Sequence, residues 1–410
     1  MTMQIRPILA TLKHHKAGTL LIALQIALTL AIVCNALFII HQRLAHLSQP
    51  TGLDESHLLV IQNQWANKPT KGDISSLLAD DLATLRKVPG VANAYATDGY
   101  PLSSGGITYG IGHSPDKLNF VSNTAIYFAD ENALPTLGLK LVAGRNFRSD
   151  EIGEIGGRDK IAPQVLIITS ELARRLFPGE SAVGKMAYVS DKPSIIIGVV
   201  ERMQTPYVDS AMAQWSDCST LMPFHQLVTP TNYVVRAQPG QLDDVAKRVR
   251  AALYAANRLR VISPEDGVKT FAQVRAQAYK SDRGMAILMA SISVILLAIT
   301  AAGIVGLTSF WVGQRRKQIG VRRALGATRH DILSYFLTEN LLIGVGGVLL
   351  GGVLALGLNL WLMKQFEMAR LAPGYVLAGV VTLLLLGQCA VLAPALRASN
   401  VPPVEATRSV

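Results

Sequence analysis

The chain has 410 residues, of which 50% are hydrophobic, and it carries a formal net charge of +11 at pH 7. Its apolar residues are concentrated in four long blocks near the two ends of the chain, which excludes an ordinary soluble protein and indicates a polytopic membrane protein. Most of the positive charge lies beside these blocks, so membrane topology explains the basic character, and no nucleic-acid partner is expected.

The first apolar block, Thr19–Ile40, contains no charged residue and is long enough to cross a hydrocarbon core about 30 Å thick at about 1.5 Å per residue. Basic residues precede it, so a cleavable signal peptide is the alternative. An uncleaved helix is favoured, because the apolar run is longer than that of a signal peptide and no clear small-x-small site follows. Residues 17–40 are therefore predicted to form the first membrane helix, after a cytosolic amphipathic segment at 1–16.

Three further apolar blocks predict membrane helices at 285–312, 332–363 and 375–396. Clusters of basic residues place three segments in the cytosol by the positive-inside rule, at 1–16, 313–331 and 397–410. The long segment 41–283 and the short loop 364–374 then lie on the outer side. The short loop has a weaker positive count, from Lys364, Glu367 and Arg370, which fits that side.

The outer segment 41–283 is long enough for one or two folded domains. Cys218 is its only cysteine, so no disulfide bond within this segment is available. These features suit a bacterial inner-membrane protein with a large periplasmic domain at 57–263. Residues 41–56 are predicted to be a stalk, and the polar segment 264–284 a stalk helix that continues into the second membrane helix.

The periplasmic domain is predicted to be of the α/β type. A strand at His57–Asn63, a helix at Ile74–Val88 and a strand at Val91–Thr97 follow from the spacing of apolar residues and from the Pro89-Gly90 break. The same strand–helix–strand order returns in Asn232–Ser263. Two such units often complete one small sheet with helices on one face.

We therefore expect an α/β core formed by residues 57–98 and 231–263. Residues 99–230 are rich in Gly, Pro and short strands, which include Val165–Ser170 and Ser194–Val200. This segment is predicted to be a β-rich subdomain inserted into the core.

The cytosolic loop after the second membrane helix contains six basic residues, Arg315, Arg316, Lys317, Arg322, Arg323 and Arg329. If the loop is helical, its apolar residues form a stripe flanked by arginines, made of Ile319, Val321, Ala324, Leu325 and Ala327. A short helix that docks into the groove of a partner requires this arrangement. An amphipathic helix on the lipid surface fits the same pattern, and the periodicity leaves both alternatives open.

Polar and small residues in the third membrane helix are further candidates. A carboxylate such as Glu339 is unfavourable in lipid, and we expect it to pair with an arginine of the preceding loop or to remain at interface depth. One acidic residue forms no proton path, so ion transport is the less favoured alternative. Gly347 and Gly351 belong to a face of small residues that suits close helix packing, either within one chain or between two chains.

Motifs that carry catalysis are scarce. Gly179–Lys185 matches the phosphate-loop pattern G-x-x-x-x-G-K, but Met186 follows where a hydroxyl is needed to bind magnesium. The segment also lies on the predicted outer side, where ATP is not available, so an ordinary turn is expected. No cofactor or metal site is predicted on this chain, and nothing in the sequence argues for an enzyme.

The loop RRKQIGVRRALGATRHDILSYFLTEN, from Arg315 to Asn340, resembles the signature of the MacB-like and FtsX-like ABC transporter permeases. The tail PALRASNVPPVEATR and the outer segments LPTLGLKLVAGRNF and ITSELARRLFPGESAVGKMAYV are also similar to this family, in the same order and on the same sides. The resemblance implies a mechanotransmission permease with four membrane helices, a stalk, a periplasmic head and a cytosolic coupling helix.

By this resemblance, the coupling helix extends over about Arg315–Leu325 and docks a separate ATPase. The residues assigned to the contact are Arg315, Arg316, Ile319, Gly320, Arg322, Arg323, Ala324, Leu325 and Gly326. The chain departs from the family at Gln318, where glutamate is common, and it contains no Walker motif. ATP and magnesium are therefore expected in a partner ATPase.

The resemblance implies the permease subunit of an ABC transporter, which moves with a cytosolic ATPase dimer. Its expected partners are a second copy or a similar permease and, for efflux of a drug or peptide, a periplasmic adaptor and an outer-membrane channel. Release of a lipoprotein or regulation of a cell-wall hydrolase are alternative uses of the same motion. A receptor that senses a peptide is an alternative from a different class of protein.

Overall fold

The computed structural model describes residues 16–67, 69–115, 120–157, 159–208, 214–366 and 370–402. The chain divides into two compact units, named here the membrane unit (Met1–Ser48 with Ser281–Val410) and the external unit (Gln49–Lys280). The predicted amphipathic segment before Lys16 lies outside the described residues, as does most of the predicted cytosolic tail, from residue 403 onward.

The α-helices of the described residues are α1 (Lys16–Leu47), α2 (Lys71–Lys87), α3 (Ala133–Leu137), α4 (Ser170–Leu176), α5 (Leu242–Ala256), α6 (Phe271–Ala278), α7 (Lys280–Gln314), α8 (Arg316–Ala324), α9 (Arg329–Phe366) and α10 (Pro373–Ser399). The β-strands are β1 (Leu58–Trp65), β2 (Val91–Thr97), β3 (Ile107–Ile111), β4 (Ser122–Phe128), β5 (Leu141–Gly144), β6 (Gly153–Gly156), β7 (Val165–Thr169), β8 (Met186–Tyr188), β9 (Pro193–Val200), β10 (Ser219–Met222), β11 (Phe224–Leu227), β12 (Thr231–Ala237), β13 (Arg260–Val261) and β14 (Val268–Thr270).

Helices α1, α7, α9 and α10 are long and apolar enough to cross a membrane. The four spans predicted from the sequence lie within these helices, and each helix extends beyond its span at both ends. The polar ends are helical because backbone hydrogen bonding continues after the apolar run stops, so composition marks the lipid-facing length and not the helix length. The predicted four-helix membrane fold is confirmed.

The glycine face of α9 packs against α1 of the same chain. A Cβ atom added to Gly347 would lie 2.9 Å from Cβ of Ile26, and one added to Gly351 would lie 2.8 Å from the carbonyl oxygen of Ala27. Both distances are too short for a side chain, so glycine is needed for the two backbones to approach. Of the two alternatives for these glycines, the structure uses packing within one chain.

Polar side chains join α1 to α7. The hydroxyl oxygens of Thr29 and Thr300 are 2.8 Å apart, and Nε2 of Gln25 donates to the carbonyl oxygen of Ile299 at 3.1 Å. Nearer the outer end, Arg43 forms an ion pair with Asp282, whose side chain is buried. These contacts satisfy polar groups that would otherwise face lipid, and they fix the two helices side by side.

The external unit contains a five-stranded antiparallel sheet in the order β13-β1-β12-β2, with β14 also paired to β1. Alternate residues of the strands, such as Leu59, Ile61 and Val235, face α2 and α5 and form a core with Leu82 and Val249. The side chains alternate because the strand period is two, whereas the apolar residues of each helix lie on one stripe. The two predicted strand–helix–strand units therefore complete one sheet.

A buried ion pair lies between this sheet and α2. Arg260 of β13 donates two hydrogen bonds to Asp81 of α2, at 2.7 and 2.9 Å, and the hydroxyl of Tyr233 donates to Asp81 at 2.6 Å. The Arg260 and Asp81 side chains are 0% and 2% exposed. The Arg260 guanidinium also lies 4.8 Å from the ring centroid of Trp65. Four elements that are distant in sequence meet at this cluster.

A second sheet has seven strands in the order β3-β4-β10-β7-β9-β5, with β8 paired to β9. Gly112, which follows β3, exchanges two backbone hydrogen bonds with Tyr188 of β8, so the sheet closes on itself. Its core includes Ile126, Leu166 and Ile196 from the strands, packed with Leu172 of α4. All of these strands lie between β2 and β12 in sequence, which confirms the predicted β-rich insertion.

The predicted stalk helix at 264–284 is wrong only in its first part, because α6 and the start of α7 make most of 271–284 helical whereas the residues before them are not. Residues Val268–Thr270 form β14 on the edge of β1, and α6 ends at Ala278 before α7 begins at Lys280. The β-branched residues of β14 complete the sheet edge, and Thr270 then caps α6 by accepting from the backbone nitrogen of Gln273 at 3.4 Å. The α/β core thus extends beyond its predicted end at 263.

The predicted stalk at 41–56 is helical only as far as Leu47, where α1 ends. Pro50 lies three residues after this end, and the α conformation is disfavoured for a residue directly before proline. A short 3₁₀ turn at Glu55–His57 leads into β1. The last strand of the unit predicted at Asn232–Ser263 is likewise reduced to β13.

Asp98 follows β2 at the start of the inserted subdomain. Its carboxylate accepts from the backbone nitrogen of Phe128 and from the hydroxyl of Thr97, both at 3.4 Å. Burial raises the pKa of the Asp98 carboxyl from its ordinary 3.8 to about 6, because these long hydrogen bonds only partly replace water.

Replacing Asp98 with asparagine is expected to stabilise the protein at neutral pH. Because the folded-state pKa is raised, the folded protein binds this proton more tightly than the unfolded chain, so stability rises as the pH falls from about 7 to about 4. The difference of about two pKa units corresponds to about 3 kcal/mol. Thermal unfolding of Asp98→Asn should show a higher Tm at pH 7.5 and a weaker dependence on pH.

Asp80→Asn, at an exposed position of α2, is the matched control and should leave the pH dependence as in the wild type. A lower Tm of Asp98→Asn at pH 7.5, in a protein that still folds, would contradict the destabilising role of the ionised carboxylate.

Candidate functional site

The cytosolic loop contains the short helix α8, which is set off from its neighbours by local signals. Gly326 has φ of 102°, a left-handed conformation that ends the helix and that other residues adopt at a cost. Thr328 and Asp331 then start α9, since the Thr328 hydroxyl donates to Asp331 at 2.6 Å and the Asp331 backbone nitrogen donates back at 3.2 Å. The loop is therefore a defined helix–turn–helix segment.

The inner side of α8 packs on the membrane helices. Ile319 is 5% exposed and belongs to an apolar cluster with Ile332 and Phe336 of α9. Gly320 is buried beside it. This packing holds α8 at the cytosolic end of the helix bundle.

A buried ion pair ties the start of α8 to α9. Nη1 of Arg315 lies 3.1 Å from both carboxylate oxygens of Glu339. The two residues are 8% and 3% exposed. Of the two alternatives for Glu339, the structure has the pairing with an arginine of the preceding loop. The carboxylate is thereby neutralised at a depth where a lone charge is unfavourable.

A second arginine ties the end of α8 to α10. Nη1 of Arg323 donates to the carbonyl oxygens of Ser399 and Val401, at 2.9 and 3.0 Å. These carbonyls lie where α10 ends, and a cation is favourable there because the helix C-terminus carries partial negative charge. Arg322 stacks on Tyr335 of α9, with its guanidinium 5.1 Å from the ring centroid. The helix is therefore held at both ends, to α9 and to α10.

These partners could not be identified from the sequence. The only sequence signal for the Arg315–Glu339 pair is that each charge borders an apolar run. Arg323 offers no signal for its role, because its acceptors are backbone carbonyls 76 and 78 residues away.

The outer side of α8 presents apolar residues to solvent. Leu325, directly after the helix, is 83% exposed, and Val321 is 47% exposed. Ala324 lies beside them and is also exposed, as are Arg316 and Lys317. We call Val321, Ala324 and Leu325 the outer apolar surface.

The single apolar stripe predicted from the sequence is wrong. Ile319 faces the membrane helices, whereas Val321 faces outward, because residues two apart on a helix point in nearly opposite directions. Ala327 is partly buried and packs on the same inner cluster as Ile319. The loop thus has an inner apolar side that fixes it and an outer apolar side that is uncovered.

The phosphate-loop-like segment lies in the external unit, between α4 and β8. Gly179 and Gly184 have φ of 76° and 85°, as tight turns require. Lys185 forms an ion pair with Glu180, and its Nζ lies 4.7 Å from the ring centroid of Phe177. A phosphate loop leads into a helix, but here a strand follows at Met186, so the segment has the geometry of a turn.

Comparison with protein families gives two matches. A family described as MacB-like periplasmic core domain matches residues 19–252, more than half of the chain. A family described as FtsX-like permease C-terminal matches residues 290–403, which include α8 and its contacts with α9 and α10.

Among similar proteins, the macrolide export ATP-binding/permease protein MacB of Chromobacterium violaceum is 26% identical over 279 residues, which are 66% of this chain and 41% of that protein. The protein of the same name from Neisseria gonorrhoeae is 28% identical over 295 residues, 70% of this chain and 41% of its own length. The chain thus spans about two fifths of the length of these relatives.

Among solved structures, the periplasmic region of MacB from Actinobacillus actinomycetemcomitans is similar to 57% of this chain, over 97% of that structure. The sequence identity is 16% and the TM-score is 0.34.

Proposed function

The chain belongs to the family of permeases that join a MacB-like periplasmic core domain to an FtsX-like C-terminal region, and from this premise we propose that it is the permease subunit of an ABC exporter. It is an inner-membrane protein with four membrane helices and a periplasmic α/β domain. The proposed partner on the cytosolic side is an ABC ATPase dimer, whose separate chains would bind ATP and magnesium.

One observation carries this proposal. The outer apolar surface stands on a basic helix that is fixed on its other side, and Leu325 is 83% exposed there. An exposed apolar residue surrounded by arginines is suited to binding in a groove of a partner protein, with the arginines facing acidic residues at the rim of that groove. A helix lying on the lipid surface would use the same residues, but it would need no ion pair to fix its angle.

The contacts of α8 suggest how motion would be transmitted. A push on Leu325 acts on a helix joined to α9 by Arg315–Glu339 and to α10 by Arg323. Because the joint at Glu339 is buried and the joint at Arg323 is partly buried, α8 would move the ends of α9 and α10 with it and would not bend freely. Through such motion, the periplasmic domain would drive export without a substrate path through the membrane unit.

Export of a small molecule or peptide is the favoured use, because the relatives named above are macrolide export proteins. This use would require a periplasmic adaptor, an outer-membrane channel and a second permease copy or a similar permease. Lipoprotein release and regulation of a cell-wall hydrolase would use the same motion with other partners.

Replacing Leu325 with aspartate is expected to weaken binding of the ATPase at least tenfold. The substitution would place a charge in a contact that is dry when formed, and about 1.4 kcal/mol already corresponds to a factor of ten. The wild-type chain, purified from its own host, should carry an ABC ATPase that mass spectrometry identifies. The affinity of that ATPase for the variants is then measured.

Met186→Asp, at a position that is 58% exposed in the external unit, is the matched control and should bind the ATPase normally. Undiminished binding to a folded Leu325→Asp variant, or absence of any ABC ATPase from the wild-type preparation, would overturn the assignment of α8 as the coupling helix.

A further inference from the structure

An apolar groove of about 750 Å³ lies in the membrane unit at the end opposite α8. It is formed by α9, the start of α10 and the residues that directly precede α10. Its apolar lining includes Leu356, Leu371, Pro373, Val376, Leu377 and Val380. The volume is within the range of about 300–1,000 Å³ that is usual for small-molecule sites.

Arg370 is the only charged residue among the described residues that line the groove. Its side chain is exposed. By the positive-inside rule, this end of the helices is the outer one, where basic residues are generally fewer. An arginine at the mouth of an apolar groove in this position points to an anionic ligand with an apolar body.

We propose that this groove binds an anionic phospholipid of the outer leaflet, with one acyl chain along the α9–α10 lining and the phosphate group at Arg370. The acyl chain contributes little to the choice between lipids, because all lipid tails are as apolar as the leucines that line the groove. The headgroup therefore decides which lipid binds. Charge complementarity with Arg370 favours a net negative headgroup, such as phosphatidylglycerol, over a zwitterionic one.

The proposal adds a lipid-binding site to the permease assignment and does not depend on it. A bound anionic lipid would cover the apolar lining between the ends of α9 and α10 and would hold the two helices at a fixed spacing. The spacing of α9 and α10 at the outer end of the membrane unit would thus depend on the lipid composition of the surrounding bilayer.

The test is native mass spectrometry of the purified, delipidated full chain, titrated with phosphatidylglycerol or phosphatidylcholine of the same acyl chains. A basic residue near a membrane surface is worth about 1 kcal/mol, which corresponds to about a fivefold preference for phosphatidylglycerol. Arg370→Gln should reduce the preference by about this factor and Arg370→Lys should keep it. Arg397→Gln, an exposed arginine at the cytosolic end of α10, is the matched control and should keep the preference.

A second experiment locates the lipid by placing a tryptophan in the groove with Leu377→Trp. The fluorescence of this tryptophan is measured in vesicles that contain either phosphatidylglycerol or phosphatidylcholine with brominated acyl chains. Brominated phosphatidylglycerol should quench the added tryptophan fluorescence more strongly than brominated phosphatidylcholine, and Arg370→Gln should abolish the difference. Equal binding of the two lipids to the wild type, a preference that is undiminished in Arg370→Gln, or an equal loss in Arg397→Gln would overturn the proposal.

Discussion

Replacing Glu339 with leucine is expected to destabilise the membrane unit by about 3–5 kcal/mol, because the substitution leaves Arg315 buried without its counter-charge. The same variant should uncouple ATP hydrolysis from transport if α8 is the coupling helix, since the joint between α8 and α9 is then lost. Thermal unfolding of the purified chain measures the first effect. Parallel assays of ATP hydrolysis and transport in the assembled complex measure the second.

The double variant Arg315→Met with Glu339→Leu separates charge burial from packing. Removing both charges should recover most of the lost stability, because a buried pair that is replaced by apolar residues is often neutral in stability. The coupling defect should persist in the double variant, since the joint itself is absent. Equal stability of Glu339→Leu and the wild type, with normal coupling, would contradict the proposed role of the ion pair.

Replacing Arg260 with methionine is expected to destabilise the external unit by about 3–5 kcal/mol. The substitution would leave the carboxylate of Asp81, which is 2% exposed, with the hydroxyl of Tyr233 as its remaining donor among the described residues. A single hydroxyl does not replace two charge-assisted hydrogen bonds. Hydrogen exchange of β1 and β12 in the full chain should show faster opening of this sheet.

Arg258→Met is the matched control, because Arg258 is exposed two residues away and its loss should change exchange little. The double variant Arg260→Met with Asp81→Leu should be more stable than Arg260→Met alone, since no unpaired charge remains. If Arg260→Met opens the sheet no faster than Arg258→Met does, the ion pair does not stabilise the external unit.

Local sequence patterns were sufficient for the arrangement of the membrane helices and for much of the α/β core. An uncharged run such as Thr19–Ile40 must be helical and must span, because lipid provides no partners for backbone groups. The helix α2 could be predicted in the same way, from its apolar spacing and from Pro89-Gly90 after it. These features depend on residues that are close in the chain.

Two wrong predictions have the same cause. Each assigned a segment from its own composition, whereas a distant strand or helix decides the structure of that segment. The polar segment before α7 was expected to be helical, but Val268–Thr270 pairs with β1, more than two hundred residues earlier in the chain. The apolar residues expected to form one stripe lie on two sides of α8, because Ile319 packs against α9. Propensity is a weak guide where tertiary contacts are available.

The sequence by itself determined that this is a four-span membrane protein with a basic cytosolic loop and an α/β domain interrupted by a β-rich insertion. It also indicated that Glu339 needs a partner and that Gly347 and Gly351 allow close packing, since a lone charge or a bulky side chain is unfavourable there. Only the tertiary structure decided that the partner is Arg315, that the glycines face α1, and that Arg323 holds the end of α10. The physical reason is that local periodicity specifies which face of an element is apolar, whereas the choice of the contacting residue depends on the packing of elements that are far apart in the chain.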